Sequence, residues 1–333
     1  MASDISVIIP VFNVQEHLEQ AISCVLDKQE ADLELILVDD GSSDLSPEIC
    51  EDFARRNQNV IVIHQDNRGP GAARNAGLDV ARGEFVFFLD SDDQIRPCAL
   101  DEMLALARCN HADLVCSDFQ PLDKNGEATD DRTPPEVLTV DRKQLLTKYF
   151  CCEISTTVWA KLYRRDLWDG LRFPDIPIHE DAWILHLVLA RCESACFTNK
   201  RHYLYRLRDN SCMRRSFSEA NLLCIACGER YVEFAKKNFP ALEGYARIQL
   251  LSRQLYTLDK MKNDGALQSF KTEYLEILDA VRRELPLLKS VNSRNKRDLL
   301  RHANELLHPY RSALIHLPLR GIRRLASATL KRH

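Results

Sequence analysis

The sequence predicts an α/β fold, with a mainly parallel central sheet flanked by helices and an all-helical appendage on its C-terminal side. Three observations carry that expectation. Apolar runs rich in β-branched residues alternate with helix-spaced segments through the first ninety residues, the pattern of parallel strands joined by crossovers. Acidic clusters follow two of those runs directly, Asp39-Asp40 and Asp90-Ser91-Asp92-Asp93. Strand signals stop near residue 216, and Leu299, Leu300, Ala303, Leu306 and Leu307 recur at helical spacing beyond it.

Each element has its own signal. Ile5–Val11 (ISVIIPV) is a continuous β-branched run, suited to a strand covered on both faces. Leu18, Ala21, Ile22 and Val25 mark a helix over 15–28. Leu33–Val38 is a second strand, and Ser46-Pro47 opens a helix with proline in its first turn. Val60–His64 is a third strand, followed by the loop Asn67-Arg68-Gly69-Pro70-Gly71 and a short helix over 71–82 that closes at Gly83. Phe85–Leu89 is the fourth strand, residues 99–109 are helical, and Leu114–Ser117 is a further strand. The polar, proline-bearing stretch 121–136 reads as loop, and Ala182–Leu189 as a helix. In open parallel sheets ligands bind beyond the carboxyl ends of the strands, so both acidic clusters are expected at one edge.

Composition narrows the class. The 333 residues are 45% hydrophobic and 28% charged with a net charge of −4, enough for a sizeable core and no global argument for nucleic-acid binding. The 12 cysteines are scattered, and reduced thiols are expected. Cys224-Ile-Ala-Cys227 has metal-ligand spacing but no second such pair, so it reads as core. Without a basic, apolar leader before Ile5 or a stretch long enough to span a bilayer, the expected location is cytoplasmic.

Several residues suggest chemistry by themselves. Three carboxylates at the end of one strand repel one another unless a cation joins them, and the Asp-x-Asp spacing puts Asp90 and Asp92 on one side of an extended segment. The same four residues also suit an acidic turn or helix cap. Asp39-Asp40-Gly41-Ser42-Ser43 is equally a turn sequence. His179-Glu180-Asp181 precedes the Ala182–Leu189 helix, where acids also favour the macrodipole.

Together, SVIIPVFN (6–13), LVDDGSSD (37–44), GPGAARNAGLDVARGEFVFFLDSDD (69–93) and HEDAWI (179–184) resemble glycosyltransferase family 2. The likeness covers roughly residues 4–215, and 216–333 shows no match. It implies the GT-A nucleotide-binding fold and inverting sugar transfer from a nucleotide-sugar, with a nucleotide-sugar half over about 1–118, an acceptor half over about 119–215, and a separate helical region over 216–333. By resemblance, Asp92 is the principal ligand of Mg2+ or Mn2+, and Asp90, a second ligand, sits near both the ribose and the metal. Asp39 accepts a uracil N–H, and Asp40 lies near the ribose or is structural. Pro10, Val11 and Phe12 line the nucleoside pocket, with Phe12 as a core aromatic the alternative. Arg74 contacts the nucleotide, Asp181 is the base and Glu180 orients it or the acceptor. The segment Trp159-Ala160-Lys161-Leu162-Tyr163 resembles an acceptor-side motif, in which Trp159 and Lys161 touch the sugar or pack beneath the site. Arg206 or Arg208 belongs to a closing loop. The chemistry agrees with the resemblance: a departing diphosphate needs a hard cation, and one carboxylate suffices to deprotonate the acceptor hydroxyl.

The expected partners are a UDP-sugar and a saccharide acceptor, most simply a lipid-linked oligosaccharide of capsule, O-antigen or exopolysaccharide synthesis. From Pro309 to His333 there is no Asp or Glu, and Arg311, Arg320, Arg323, Arg324, Lys331 and Arg332 alternate with Leu314, Ile315, Leu319 and Ile322. Such a segment suits an anionic membrane surface, on the inner face of the cell membrane, or docking on protein, including a second copy. Two competing functions are a nucleotidyltransferase, which lacks support in the first strand's surroundings, and a non-catalytic nucleotide-sugar binder, which need not keep both Asp92 and Asp181.

Overall fold

The computed structural model describes residues 3–27, 29–123, 126–129, 131, 134–207, 216–288 and 290–307. Arg208 and the basic C-terminal segment lie outside the described residues. The chain forms two compact units, one of Met1–Tyr149 with Ser155–Arg215, the other of Phe150–Ile154 with Ser216–His333.

In the first unit β1 (Ile5–Val11), α1 (Gln15–Leu26), β2 (Leu33–Asp39), α2 (Ser46–Arg56), β3 (Val60–His64), α3 (Pro70–Val80) and β4 (Phe85–Phe88) alternate as expected. They are followed by β5 (Gln94–Ile95), α4 (Ala99–Cys109), β6 (Leu114–Cys116), β7 (Phe119–Pro121), β8 (Val137–Asp141), α5 (Arg142–Phe150), β9 (Lys161–Arg164), α6 (Glu180–Leu189), β10 (Ser194–Thr198) and β11 (Tyr203–Tyr205). The main sheet runs β3-β2-β1-β4-β9-β6-β10-β8, and a small one runs β5-β11-β7. β1, β2, β3 and β4 are parallel neighbours, as are β6 and β10. β9 is inserted antiparallel between β4 and β6, and β8 pairs antiparallel with β10 at the edge.

The apolar runs dictate this layering. All of β2 and β4 is buried, and all of β1 except Pro10, because helices cover both faces of a parallel sheet. Pro10 lies past Ile8, the last β1 residue paired with β4, where a missing N–H disturbs least. Closeness between layers rests on Gly77 of α3. A Cβ built there would stand 2.4 Å from Ile8 Cγ2, and a β-branched side chain fixed in a strand has little freedom to yield. Gly77→Ala is therefore expected to cost about 1–3 kcal/mol, read as a lowered urea midpoint with an unchanged slope.

The second unit is helical: α7 (Leu223–Asn238), α8 (Glu243–Asn263), α9 (Lys271–Leu287) and α10 (Lys296–Leu307). Ile248, Leu251, Leu255 and Leu258 of α8, Ile277, Leu278 and Val281 of α9, and Ala303 of α10 build its core. Cys224 and Cys227 are buried in α7, and all described cysteines are free thiols. Residues 150–154 belong here. The Phe150 ring lies 5.9 Å from that of Tyr231, Asn295 donates to the Cys151 carbonyl at 2.8 Å, and the Cys152 thiol donates to Gln249 at 2.6 Å. Among the described residues no helix is long and apolar enough to cross a membrane.

Candidate active site

The first unit gathers its polar side chains where the parallel strands end. Register aligns Val11 of β1, Asp39 of β2 and His64 of β3 in one row, and Asp90 follows β4 by two residues. The loops after β1 and β2 are tied together. Asn13 N–H donates to Ser42 Oγ, Val14 N–H to Ser46 Oγ, and Ser43 N–H to Asn13 Oδ1, at 2.8–3.0 Å. Phe12 stands beside them 47% exposed, an aromatic face open at the strand ends rather than a core residue.

Asp39 and Asp40 are buried but differ in task. Asp39 Oδ1 accepts the Ser42 N–H at 3.0 Å, and its Oδ2 lies 2.9 Å from His64 Nδ1. Asp40 accepts from Gln65 Nε2 and from the Arg68 and Gly69 N–H groups at 2.7–2.9 Å. It thus holds the loop that launches α3, which accounts for its burial without a ligand. Gly41 makes the turn that follows them, with φ of +74° and no room for a Cβ against the Asn67 nitrogen.

At the centre is Arg74, carried by α3 into a buried position. Its guanidinium reaches three carboxylates: Glu180 at 2.7 Å, Asp90 at 2.9 Å and Asp181 at 3.0 Å. Burial opposes its charge, but the three anions outweigh that and hold Arg74 above its ordinary value. The sequence-based expectation put Arg74 on the nucleotide; here it joins the acids after β4 to those opening α6. α6 starts from His179 in a left-handed conformation, φ +66°, which sets Glu180 and Asp181 in its first turn.

Asp181 is held at both oxygens, Oδ1 by Arg74 and Oδ2 by the Val158 N–H at 3.0 Å. Burial pushes its carboxyl up to about 7, with Glu180 and Asp90 adding to the rise and Arg74 opposing it. A fixed carboxylate that exchanges its proton near neutrality suits a general base. Burial likewise raises Asp90.

The Asp90–Asp93 segment is a tight turn, closed by the Asp93 N–H on the Asp90 carbonyl at 3.0 Å. Asp93 is the structural member. It accepts from the Tyr203 hydroxyl and the Arg206 N–H, both at 2.7 Å, and burial pushes it up to about 8. Arg206 also donates through Nε to the Asp92 carbonyl at 3.0 Å, so it belongs to this turn. Among the described residues no three His, Cys, Asp or Glu side chains are grouped as a ready metal cage. Two hard carboxylates at Asp90 and Asp92, the former giving one oxygen to Arg74, are the residues that would hold Mg2+ or Mn2+, ions that use few protein ligands and would supply Lewis-acid chemistry there.

Trp159 and Lys161 are buried with partners of their own. The Trp159 ring stacks on Tyr203 at 4.7 Å and on Tyr205 at 5.6 Å, and Lys161 donates to the Thr157 carbonyl at 2.8 Å. They support the Val158 segment that orients Asp181. Two participants were missed from sequence. His64 ends a strand at the same edge as Asp39, a signal available but not applied. Tyr203 lies in a three-residue strand with no local signature.

Comparison with known proteins agrees with this geometry. The description "Glycosyl transferase family 2" matches residues 6–167. An uncharacterised glycosyltransferase of Haemophilus influenzae is 30% identical over 218 residues, 65% of this chain and 84% of that one. The putative glycosyltransferase EpsH of Bacillus subtilis is 27% identical over 276 residues, 80% of each chain. The crystal structure of S. aureus TarS 1-349 in complex with UDP-GlcNAc superposes with a TM-score of 0.67 at 20% identity, covering 93% of this chain and 92% of that one. The architecture is of the GT-A type, and the chain is a glycosyltransferase that belongs to glycosyl transferase family 2.

Proposed function

We propose that this enzyme inverts the anomeric centre as it moves a hexose or N-acetylhexosamine from a UDP-sugar to a saccharide hydroxyl. The observation that carries the reading is the Arg74 cluster, which places a near-neutral carboxylate, Asp181, beside the acids that end β4. Asp181 takes the proton from the acceptor hydroxyl as that oxygen bonds to the anomeric carbon. The bond from that carbon to the diphosphate breaks on the opposite face, and its electron pair leaves with the nucleotide. Val158 and Arg74 keep the carboxylate aimed, and Glu180 orients the acceptor. Asp39 accepts the N–H of the base, and Phe12 lies against the nucleoside. A divalent ion held by Asp92 and Asp90 would neutralise charge on the departing diphosphate. The UDP-sugar bound by the similarly folded TarS supports the donor class. A lipid-linked glycan is the acceptor we favour, supported by the basic, apolar sequence from Arg311 to Arg332.

Calorimetry with UDP, GDP, dTDP and CMP, with and without Mn2+, tests the donor site on wild type and Asp92→Ala. UDP binding that requires metal and weakens at least about tenfold in the variant is expected. Metal-independent binding equal in both proteins would overturn the assignment of Asp92.

A further inference from the structure

Asp39 is not left to find its own orientation. On one side stands His64, whose two ring nitrogens each lie against a carboxylate: Nδ1 is 2.9 Å from Asp39 Oδ2, and Nε2 is 3.0 Å from Glu51 Oε1. Ionised carboxylates only accept hydrogen bonds, and a neutral imidazole has one N–H to give. A neutral ring would therefore set a lone pair against one carboxylate oxygen, whereas the imidazolium donates to both. We propose that His64, clamped as an imidazolium between Asp39 and Glu51, is a positioning residue that fixes the orientation of the Asp39 carboxylate and so favours nucleotides whose base presents a ring N–H.

The proposal rests on the reading of Asp39 as the residue that meets the base, and it explains how that residue discriminates. Each Asp39 oxygen already takes one hydrogen bond, from Ser42 N–H or from His64, and each retains a lone pair. The side chain is only 6% exposed, so these two donors, rather than water, set its orientation. Ionised, Asp39 accepts from uracil or thymine N3–H and from guanine N1–H. It meets the bare N3 of cytosine lone pair to lone pair.

The groups facing His64 are few. Asp39 comes from β2 and Glu51 from α2, and their hydrogen bonds raise the imidazole above the ordinary histidine value, Asp39 contributing most. Cys50, also on α2, remains a neutral thiol, since burial pushes it up to about 12 with Asp39 adding to the rise. A raised imidazole is fully charged below the ordinary histidine value and loses its proton as pH climbs past the raised one. The neutral ring then has one N–H to share between Asp39 and Glu51, so its hold on Asp39 loosens and selectivity should follow the same course.

The test has two parts. In the ligand-free protein, nitrogen-detected NMR of His64 is expected to show both ring nitrogens protonated at pH 7, with a titration midpoint that falls in Glu51→Gln. A neutral His64 at pH 7 would overturn the clamp. Calorimetry with UDP and CDP in the presence of Mn2+ is then compared across pH 6–8.5 for wild type, Glu51→Gln, His64→Asn and His64→Leu. Wild type is expected to favour UDP at low pH and to lose about tenfold of that preference as pH rises, the worth of one charge-assisted hydrogen bond. The exposed substitution Glu51→Gln should move the loss to lower pH. His64→Asn keeps a donor toward Asp39 but should make the preference smaller and independent of pH, and His64→Leu should make it smallest. UDP binding with a preference unchanged by pH and by these variants would overturn the role of His64 alone. Failure of wild type to bind any nucleotide would overturn the donor-site reading, and this proposal with it.

Discussion

Asp181→Asn is expected to lower sugar transfer by about 10²–10⁴-fold, the usual worth of a positioned general base, while UDP affinity stays near wild type. Asparagine keeps the shape but has one acceptor oxygen where Asp181 uses two, so it can meet Arg74 or the Val158 N–H but not both, and it cannot take the acceptor's proton. In wild type the rate should rise with pH through about 7, where Asp181 loses its proton, and the variant's residual rate should lose that limb. Stability separates this from misfolding. Burial raises the folded-state value far above the 3.8 of an ordinary aspartate, so the folded protein holds an extra proton between the two values. That contribution is complete at low pH and is lost as pH rises to about 7. The uncharged variant escapes the loss, so the part of its stability that in wild type falls as pH rises to about 7 should no longer do so. Normal transfer by Asp181→Asn would remove Asp181 from the base role.

Arg74→Met is expected to be the most damaging single substitution in the site. It strands three carboxylates that share one guanidinium, and breaking a buried ion pair from one side typically costs about 3–5 kcal/mol. The denaturation midpoint should fall accordingly and recover in part at low pH, where the stranded acids take up protons. Without the cation that opposes its rise, Asp181 should titrate higher, so any residual activity should need more alkaline solution. Arg74→Lys retains the charge but lacks the planar fork that meets separate carboxylates at once, and should fall between. An unchanged midpoint in Arg74→Met would mean that the cluster contributes no stability.

What the sequence made legible follows the range of the interactions. β1 to β4 could be read because their side chains are apolar on both faces and their order is a local alternation. The acids at the strand ends could be placed by the edge rule alone. β9 could not, since Lys161–Arg164 becomes a strand only by inserting antiparallel between β4 and β6. β5, β7 and β11 are two or three residues long, too short for any period. Within the site, the family likeness named Asp90, Glu180 and Asp181, but nothing local to Arg74 reveals carboxylates more than a hundred positions later. Phe12 shows the same limit: its neighbours Val11 and Val14 are buried and it is not, a distinction made by the turn at Asn13.

The short passage of residues 150–154 through the helical unit has a consequence for how the chain can be rearranged. Its two units are threaded rather than strung end to end, with joints at 149/150, 154/155 and 215/216. A chain cut at 215 would keep Phe150 and Cys151 while deleting Tyr231 and Asn295, the partners that cover them. A graft of other C-terminal helices onto this chain is therefore expected to leave Phe150 and Cys151 uncovered unless the pentapeptide Phe150–Ile154 is exchanged together with them.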